Sequence, residues 1–281
     1  MQVITTKAAM RDTVRGWRQA GGSIVLVPTM GYLHAGHMAL VERARTQGDR
    51  IVASIFVNPT QFGASEDLST YPRDLERDLA MLKDAGVSAV FMPQVTEVYA
   101  SDAQTIVETT DLAKILIGKL RPGHFRGVAT VVTKLFNIVQ PDAACFGEKD
   151  YQQLCVIRQM VRDLDIPVRI IGVPTVRDSD GLAMSSRNVR LTPDDRAAAT
   201  ILSRALFQAQ DMAKTGITAS RLRAWVAAHI GAEPRADVQS VDIRDARTLR
   251  SLSGPLTGPA VILLAVRFGS VLLIDQRVVT P

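Results

Sequence analysis

The chain has few of the residues on which disulfide scaffolds, metal centres and nucleic-acid platforms depend. Only 2 of its 281 residues are cysteine, and aromatic residues make up 5%. Cys145 lies in an apolar strand pattern and Cys155 on an apolar helix face, so both are predicted to be buried, reduced thiols. Their spacing matches no metal-ligand motif. The sparse aromatics argue against a surface that stacks the bases of single strands.

Long apolar stretches and blocks of like charge are also missing. No apolar run is long enough to cross a membrane, and the N-terminus lacks a charged segment followed by an apolar signal core. We therefore expect a cytoplasmic location and no membrane partner. The formal net charge is +5, but basic and acidic residues are interspersed, so no nucleic-acid partner is expected. A mild positive excess suits an enzyme with phosphorylated or carboxylate substrates.

Two common catalytic motifs are absent as well. The chain contains no Walker P-loop and no Gly-x-Ser-x-Gly elbow, and no cysteine–histidine pair that would activate a thiol is recognisable. With no activated nucleophile, phosphate chemistry is expected to proceed by direct displacement at phosphorus. In such reactions, positioning and charge stabilisation supply most of the catalysis.

Apolar runs alternate with helical patterns over the first 176 residues. The strands are too apolar for a sheet with one wet face, which predicts a parallel sheet covered on both sides. Right-handed crossovers then give a Rossmann-like, doubly wound α/β domain over residues 1–176. The predicted strands are 23–27, 50–57, 87–92, 143–146 and 168–173, and the predicted helices are 7–20, 36–46, 72–85, 125–139 and 150–164.

The pattern changes after about residue 176. Two helical patterns are followed by three strand patterns, which predicts a smaller α+β domain over residues 177–281, expected to act as a lid. The stretch 173–181, with one proline, two aspartates and a glycine, is a candidate hinge. The predicted helices are 193–214 and 218–230, and the predicted strands are 238–244, 260–268 and 271–274.

What the chain does contain is a pair of histidines at a predicted strand-to-helix junction. His34 and His37, two of only four histidines, follow the apolar run 24–27 and flank Gly36. A helix N-terminus presents unpaired N–H groups and partial positive charge, which attract anions. Residues three apart share a helical face, so both imidazoles are predicted to face one phosphate chain. A helix cap or a surface pair is the alternative interpretation.

Three further polar clusters follow predicted strands, at 58–63, 146–153 and 184–188. Taken singly, each has an ordinary explanation as a turn, a capped helix start or a loop. Because ligands of open α/β sheets bind at the carboxyl ends of the strands, we expect these clusters and the histidine pair to lie on one rim. The relevant side chains are the cations and donors His34, His37, Lys149, Ser185 and Arg187, suited to triphosphate oxygens, and the neutral amides Asn58, Gln61 and Gln153, suited to hydroxyl groups.

These motifs resemble a known family. Residues 28–37 resemble the HxGH signature of the nucleotidylyltransferase superfamily, and residues 184–188 resemble its flexible KMSKS-type loop. The longer strings are more specific than either. In this order, 54–63, 71–74, 121–128, 146–153 and 181–188 resemble the pantoate–β-alanine ligase (pantothenate synthetase) family, and the likeness runs from about Thr29 to Asn188.

The resemblance implies an ATP-dependent condensation of pantoate with β-alanine to pantothenate. It implies a pantoyl adenylate intermediate, release of AMP and pyrophosphate, Mg²⁺ as a cofactor and a homodimer. His34, His37, Lys149, Ser185 and Arg187 would act on the phosphates. Gln61 and Gln153 would hold pantoate, and Asn58 would lie near β-alanine or the substrate edge. The implied ATP-binding residues are Met30, His34, His37, Gly147, Lys149, Asp150, Val176, Met184, Ser185, Ser186 and Arg187, and those for pantoate or β-alanine are Asn58, Gln61, Tyr71, His124 and Gln153.

One position departs from the family pattern. Where the family often has an acidic pair after Tyr71, this chain has Arg77 and Asp78. The resemblance implies Asp78 as a Mg²⁺ ligand, since Mg²⁺ keeps several waters and needs few protein carboxylates. An ion pair on a helix surface is the alternative.

Two other functions compete with this expectation. Another HxGH adenylyltransferase would transfer AMP to a phosphate ester, but Gln61 and Gln153 are neutral where such an enzyme needs cations. An RNA-binding relative would suit the pI of about 9.5, but the chain lacks a basic cluster.

Overall fold

The computed structural model describes residues 1–63 and 68–281, and the chain falls into two units. The first unit holds Met1–Gly147 and Val156–Val173, and the second holds Glu148–Cys155 and Pro174–Pro281. Each unit is described by itself below.

The first unit is built on one parallel sheet. Its strands are Gln2–Ile4 (β1), Ile24–Thr29 (β2), Arg50–Ile55 (β3), Ala89–Phe91 (β4), Ala143–Gly147 (β5) and Arg169–Val173 (β6). They lie in the order β1-β4-β3-β2-β5-β6, and every pair is parallel. The chain steps outward from β2 through β3 to β4 and then returns to the other side of β2 for β5 and β6. The sheet is therefore doubly wound, with its switch point between β2 and β5, where ligands of such folds bind.

Helices cover the sheet on both faces. Ile24 to Val27 are each fully buried, and successive strand side chains point to opposite faces, so neither face is wet. Helices α2 (Ala35–Arg45) and α3 (Leu75–Asp84) pack on the face that carries Val25 and Val27. The helices up to residue 163 are Lys7–Gln19 (α1), Ala35–Arg45 (α2), Leu75–Asp84 (α3), Val95–Val98 (α4), Ile117–Leu120 (α5), His124–Val139 (α6) and Tyr151–Asp163 (α7).

The second unit is an α+β structure with its own core. Its antiparallel strands Ala236–Asp245 (β7), Ala260–Phe268 (β8) and Val271–Val279 (β9) lie in chain order, and its helices are Pro193–Ala198 (α8), Ile201–Ala213 (α9) and Ala219–Gly231 (α10). Buried residues of α9 and α10, such as Leu206 and Val226, pack with Phe268 of β8 in one apolar cluster. The predicted fold class, a doubly wound parallel sheet followed by a smaller α+β part, is confirmed.

Two predicted helices have the wrong bounds. The helix predicted for 72–85 begins at Leu75, because the side chain of Asp74, not Pro72, starts it by accepting from the N–H of Arg77 at 3.2 Å. The helix predicted for 193–214 is broken between Ala198 and Ile201. There the hydroxyl of Thr200 donates to the carbonyl of residue 197 at 2.8 Å. The backbone hydrogen bonds change from the α-helical i→i−4 pattern to an i→i−3 pattern.

The last strand is longer than predicted because the charge of an aspartate near its end is compensated by an arginine. β9 continues to Val279 through Asp275, which is almost completely buried. Arg177 meets that carboxylate with two bonds of 2.7 and 2.9 Å, so its charge is compensated. The sequence-based prediction ended this strand at residue 274, before these polar residues.

Both cysteines are buried and in no disulfide bond, as predicted. Burial raises the pKa of the Cys145 thiol to about 11, so it stays protonated and unreactive near neutral pH. In residues 1–63 and 68–281, no helix has the length and apolarity that a membrane span requires.

Candidate active site

Strand β2 delivers the histidine motif to the carboxyl end of the sheet, beside the switch point. The hydroxyl of Thr29, the last residue of β2, donates to the carbonyl of Ser54 on β3 at 2.7 Å and accepts from the N–H of Gly31 at 3.2 Å. The chain then turns sharply, with positive φ of 83° at Gly31 and 51° at Tyr32. This turn sets the entry into helix α2.

His34 is the N-cap of α2, and His37 lies in its first turn. Nδ1 of His34 accepts from the N–H of Gly36 at 3.1 Å, and Nδ1 of His37 accepts from the N–H of His34 at 3.3 Å. The two ring centroids are 4.1 Å apart. The cap is therefore confirmed, and it does not contradict the phosphate-facing pair, which stays a prediction, because the backbone bonds engage only Nδ1 of each ring.

These bonds define the protonation of both imidazoles. A backbone N–H can only donate, so each Nδ1 is the unprotonated acceptor, and in the neutral ring the proton is on Nε2. Both histidines thus carry an Nε2–H donor and lie at a helix N-terminus, whose partial charge is positive. Such a pair is suited to stabilising negative charge on phosphate oxygens. It is poorly suited to act as a general base, because neither Nδ1 is available to take a proton.

Asn58 is a buried residue that organises its neighbours. Its side chain is at the carboxyl end of β3 with 1% exposure. Its Nδ2 donates to Oε1 of Gln61 at 3.0 Å and to the carbonyl of Gly127 at 3.2 Å, and its Oδ1 accepts from the hydroxyl of Tyr99 at 2.9 Å. Burial raises the pKa of Tyr99, so the phenol stays protonated as a donor. The predicted substrate contact of Asn58 stays a prediction, and its observed contacts are those of a residue that positions Gln61.

Gln61 is held at both ends. Its Nε2 lies 3.4 Å from Sδ of Met30, which ties the amide to the histidine loop. The backbone carbonyl of Gln61 accepts from Nδ1 of His124 at 2.8 Å. Nε2 of His124 lies 3.2 Å from Nη1 of Arg121. Because the arginine can only donate, His124 is the neutral tautomer protonated on Nδ1. The structure therefore brings together four of the predicted site residues of the first unit, Met30, Asn58, Gln61 and His124.

Tyr71 and Asp78 are both buried. Tyr71 packs edge-on against Phe62, with ring centroids 6.0 Å apart. Asp78, in α3, is 1% exposed and accepts from the N–H groups of Tyr32 and Leu33 at 2.6 and 2.7 Å. The alternative of a helix-surface ion pair is therefore wrong for this carboxylate.

The carboxylate of Asp78 does not fit a metal site. A hard cation needs open carboxylate oxygens and room for water, whereas both oxygens of Asp78 face backbone donors in the protein interior. Among the residues that the structure describes, no group of three His, Cys, Asp or Glu side chains is arranged to hold a metal ion.

In the second unit, Lys149 and Asp150 lie on the turn Glu148–Asp150, which follows β5 and precedes α7. Nζ of Lys149 lies 3.8 Å from the carboxylate of Asp150. The lysine side chain is 19% exposed and that of Asp150 46%. Gly147 ends β5, and Gln153 is half-buried in the first turn of α7.

The segment 176–188 forms a closed loop in the second unit. The N–H of Met184 donates to the carbonyl of Val176 at 3.0 Å, so these two backbone groups are committed to each other. The hydroxyl of Ser185 caps the turn Ser186–Arg190 by accepting from the N–H of Arg187 at 3.2 Å. Any contact that Val176 or Met184 makes to adenine would therefore use their remaining atoms.

An ion-pair cluster steadies the start of this loop. Arg196 of α8 donates to Asp180 at 2.6 Å and to Asp178 at 2.8 Å. The hydrogen bond from Arg196 is the main cause that holds the pKa of Asp180 below its usual value.

Sequence reasoning missed Tyr99, Gly127 and Arg77 as parts of this site. Tyr99 and Gly127 hold Asn58 across long sequence separations, and no local motif marks such a contact. Arg77 donates to the carbonyl of Leu33 at 2.6 Å, and the only signal for it was its departure from the family pattern.

Comparison with known proteins identifies the family. A model of the pantoate-beta-alanine ligase family matches residues 2–278. Pantothenate synthetase from Sinorhizobium medicae is 54% identical over 100% of this chain and 97% of its own, and that from Agrobacterium fabrum is 52% identical over 99% and 96%.

Solved structures agree with the sequence relatives. Pantothenate synthetase from Thermus thermophilus superposes with a TM-score of 0.95 at 46% identity, covering 100% of both chains. The ligase from Francisella tularensis, described as complexed with beta-gamma ATP and beta-alanine, superposes with a TM-score of 0.81 at 34% identity over 99% of this chain and 97% of its own. With these matches along its whole length, the chain belongs to the pantoate-beta-alanine ligase family.

Proposed function

We propose that this protein condenses pantoate with β-alanine in an ATP-dependent reaction of two steps. The first step forms a pantoyl adenylate. The observation that carries the proposal is the His34–His37 pair, which caps a helix at the switch point of the sheet in a chain of this family. The reaction needs donors for phosphate oxygens and no covalent enzyme intermediate, and the pair supplies such donors.

In the first step, a carboxylate oxygen of pantoate attacks the α-phosphorus of ATP. The bond from that phosphorus to the bridging oxygen breaks, and pyrophosphate leaves with the electron pair. We propose that Nε2–H of His34 and of His37 donate to the phosphate oxygens as negative charge builds on them. Lys149, Ser185 and Arg187 are proposed to share this task, because cations and hydroxyl donors suit phosphate.

In the second step, the amine of β-alanine attacks the acyl carbon of the adenylate. The bond from that carbon to the phosphate oxygen breaks, AMP leaves, and the amine loses a proton to solvent. No residue needs to become covalently attached, in agreement with the absence of an activated nucleophile from the sequence. The protein's contribution is then to hold the two substrates in line.

The neutral amides support pantoate as the acceptor. Gln61 is held by Asn58 and Met30 and can offer hydrogen bonds to hydroxyl and carboxylate groups without a countercharge. We propose Gln153, Tyr71 and His124 as further contacts for pantoate or β-alanine. An adenylyltransferase acting on a phosphate ester would need cations at these positions, so that alternative is disfavoured.

The remaining roles are proposals that rest on the family. Gly147, Asp150, Val176, Met184 and Ser186 are proposed to contact ATP, and Mg²⁺ is proposed to enter with the triphosphate as part of the nucleotide substrate. A cytoplasmic homodimer is also proposed. Membership in a biosynthetic ligase family supports each of these.

Isotope exchange between pyrophosphate and ATP tests the mechanism. We expect labelled pyrophosphate to enter ATP when pantoate is present and β-alanine is absent, because the first step is then reversible on the enzyme. Exchange that occurs without pantoate, or no exchange with it, would contradict an acyl-adenylate intermediate.

Two substitutions test the division of roles between neighbouring residues. Gln153→Ala is expected to raise the KM for pantoate more than that for ATP, because an amide for pantoate is lost. Lys149→Ala is expected to lower kcat and weaken ATP use, because a cation for the phosphates is lost, by about 10²-fold in kcat/KM. Steady-state kinetics with each substrate varied in turn measures both, and equal effects of both variants on both substrates would refute the assignment.

A further inference from the structure

The turn that leads into the histidine pair has an unusual backbone. Gly31 and Tyr32 both have positive φ, of 83° and 51°. A residue with a side chain adopts this region only when its surroundings hold it there, because Cβ then crowds the backbone. Something in the first unit must therefore stabilise the Gly31–Leu33 turn, which directly precedes the N-cap His34.

Asp78 supplies this support from helix α3. Its Oδ2 accepts from the N–H of Tyr32 at 2.6 Å, and its Oδ1 accepts from the N–H of Leu33 at 2.7 Å. Successive N–H groups in such a turn form a small concavity that binds anions. Here the anion is the protein's own carboxylate, and it is 1% exposed. Bonds from backbone N–H groups to a buried charge are short and strong, so the turn has little freedom.

Arg77 holds the other side of the same turn. Its Nη2 donates to the carbonyl of Leu33 at 2.6 Å, and its guanidinium lies over the ring of Tyr32, 4.8 Å from the centroid. Asp78 therefore binds the donors of the turn and Arg77 binds an acceptor. This pair occupies the position where the family pattern led us to expect a metal ligand.

We propose that Asp78, assisted by Arg77, is a positioning residue for the His34–His37 pair and not a ligand of Mg²⁺. It acts by fixing the two peptide units before His34, and through them the direction of both Nε2–H groups. The inference rests on the proposed function, since it concerns how the same site is held for phosphate chemistry.

Asp78→Asn is the sharpest test because it preserves volume. The amide oxygen can accept one of the two N–H groups, but the amide nitrogen would face the other donor, so half of the support is lost. We expect kcat to fall by about 10-fold to 100-fold, as a misplaced catalytic group does, with the KM values for ATP and pantoate changed by less than about 3-fold. The Mg²⁺ concentration that gives half of full activity should stay within about 2-fold of the wild-type value, whereas loss of a metal ligand would raise it and excess Mg²⁺ would restore activity.

Coupling to the histidine separates positioning from general destabilisation. In a His34→Asn background, Asp78→Asn should lower kcat by a smaller factor than it does in the wild type, because one of the two imidazoles that it positions is already gone. Arg77→Met, at a side chain that is 44% exposed, should give a smaller loss in kcat of about 3-fold to 10-fold. Glu76→Gln, an exposed change on the same helix, is the matched control and should leave kcat unchanged.

Three results would overturn the proposal. They are rescue of Asp78→Asn by excess Mg²⁺, independent losses in the double variant, and wild-type kcat in both Asp78→Asn and Arg77→Met. The proposed function is tested separately by pantoate-dependent exchange in the wild-type enzyme. Wild-type exchange together with unaffected variants would reject the positioning role alone.

Discussion

His34→Asn and His34→Ala are expected to lose the same large fraction of activity but to differ in stability. Both remove the Nε2–H donor that we assign to the phosphate oxygens. Removal of one such donor from a catalytic site typically lowers kcat by about 10²-fold to 10³-fold. Asparagine can still accept from the N–H of Gly36, as Nδ1 of His34 does at 3.1 Å, and it is among the best N-cap residues. The free energy of unfolding of His34→Asn should therefore lie within a few tenths of a kcal/mol of the wild-type value, and that of His34→Ala should be about 1 kcal/mol lower.

A second capped helix provides the control for this pair. Thr6 is exposed and caps α1 by accepting from the N–H of Ala9 at 3.3 Å. Thr6→Ala should cost about 1 kcal/mol in the free energy of unfolding and leave kcat unchanged. Urea denaturation measures the free energy of unfolding, and steady-state kinetics of the full reaction measures kcat. Recovery of activity in His34→Asn relative to His34→Ala would mean that the ring acts only as a cap.

The local part of this site was predictable from the sequence. An apolar run, a glycine-containing turn and two histidines at a helix start are near neighbours, so their geometry follows from strand and helix rules. The parallel, doubly wound sheet followed from strands that are apolar on both faces, such as Ile24 to Val27. The boundary predicted after residue 176 stays a prediction.

The parts that were not predictable depend on contacts between distant residues. Asp78 was expected to be a Mg²⁺ ligand, with a helix-surface ion pair as the alternative, and only the turn at Tyr32 explains its burial. The contacts of Asn58 with Tyr99 and the carbonyl of Gly127 were not predicted, because nothing local marks them, and its substrate contact stays a prediction. Strand β1 was missed because three residues at a sheet edge carry too weak a periodic signal. In each case a tertiary partner, not a local propensity, decides the structure.

Gly127→Ala is expected to displace Asn58 and Gln61 without replacing any residue assigned to the chemistry. A Cβ at this position in α6 would lie 2.4 Å from the carbonyl oxygen of Thr60 and 2.7 Å from Cα of Gln61. Both are backbone atoms, so the turn Pro59–Gln61 and the helix must move apart. Such overpacking costs about 1–3 kcal/mol in the free energy of unfolding. The same movement strains the bond from Asn58 to the carbonyl of Gly127, which now measures 3.2 Å.

The functional consequence of this movement should be selective for pantoate. Gln61 is tied to Asn58 and Met30, so a shifted turn misdirects the amide that we assign to pantoate, and kcat/KM for pantoate should fall by about 10²-fold. The KM for ATP should change much less. Gly16→Ala in α1 is the matched control, because no atom lies within 4 Å of its added Cβ. This variant should gain about 0.5–1 kcal/mol in the free energy of unfolding, with unchanged kinetics. If a folded Gly127→Ala enzyme kept its pantoate KM, or lost ATP and pantoate binding equally, the Asn58–Gln61 turn would not be the part of the site that holds pantoate.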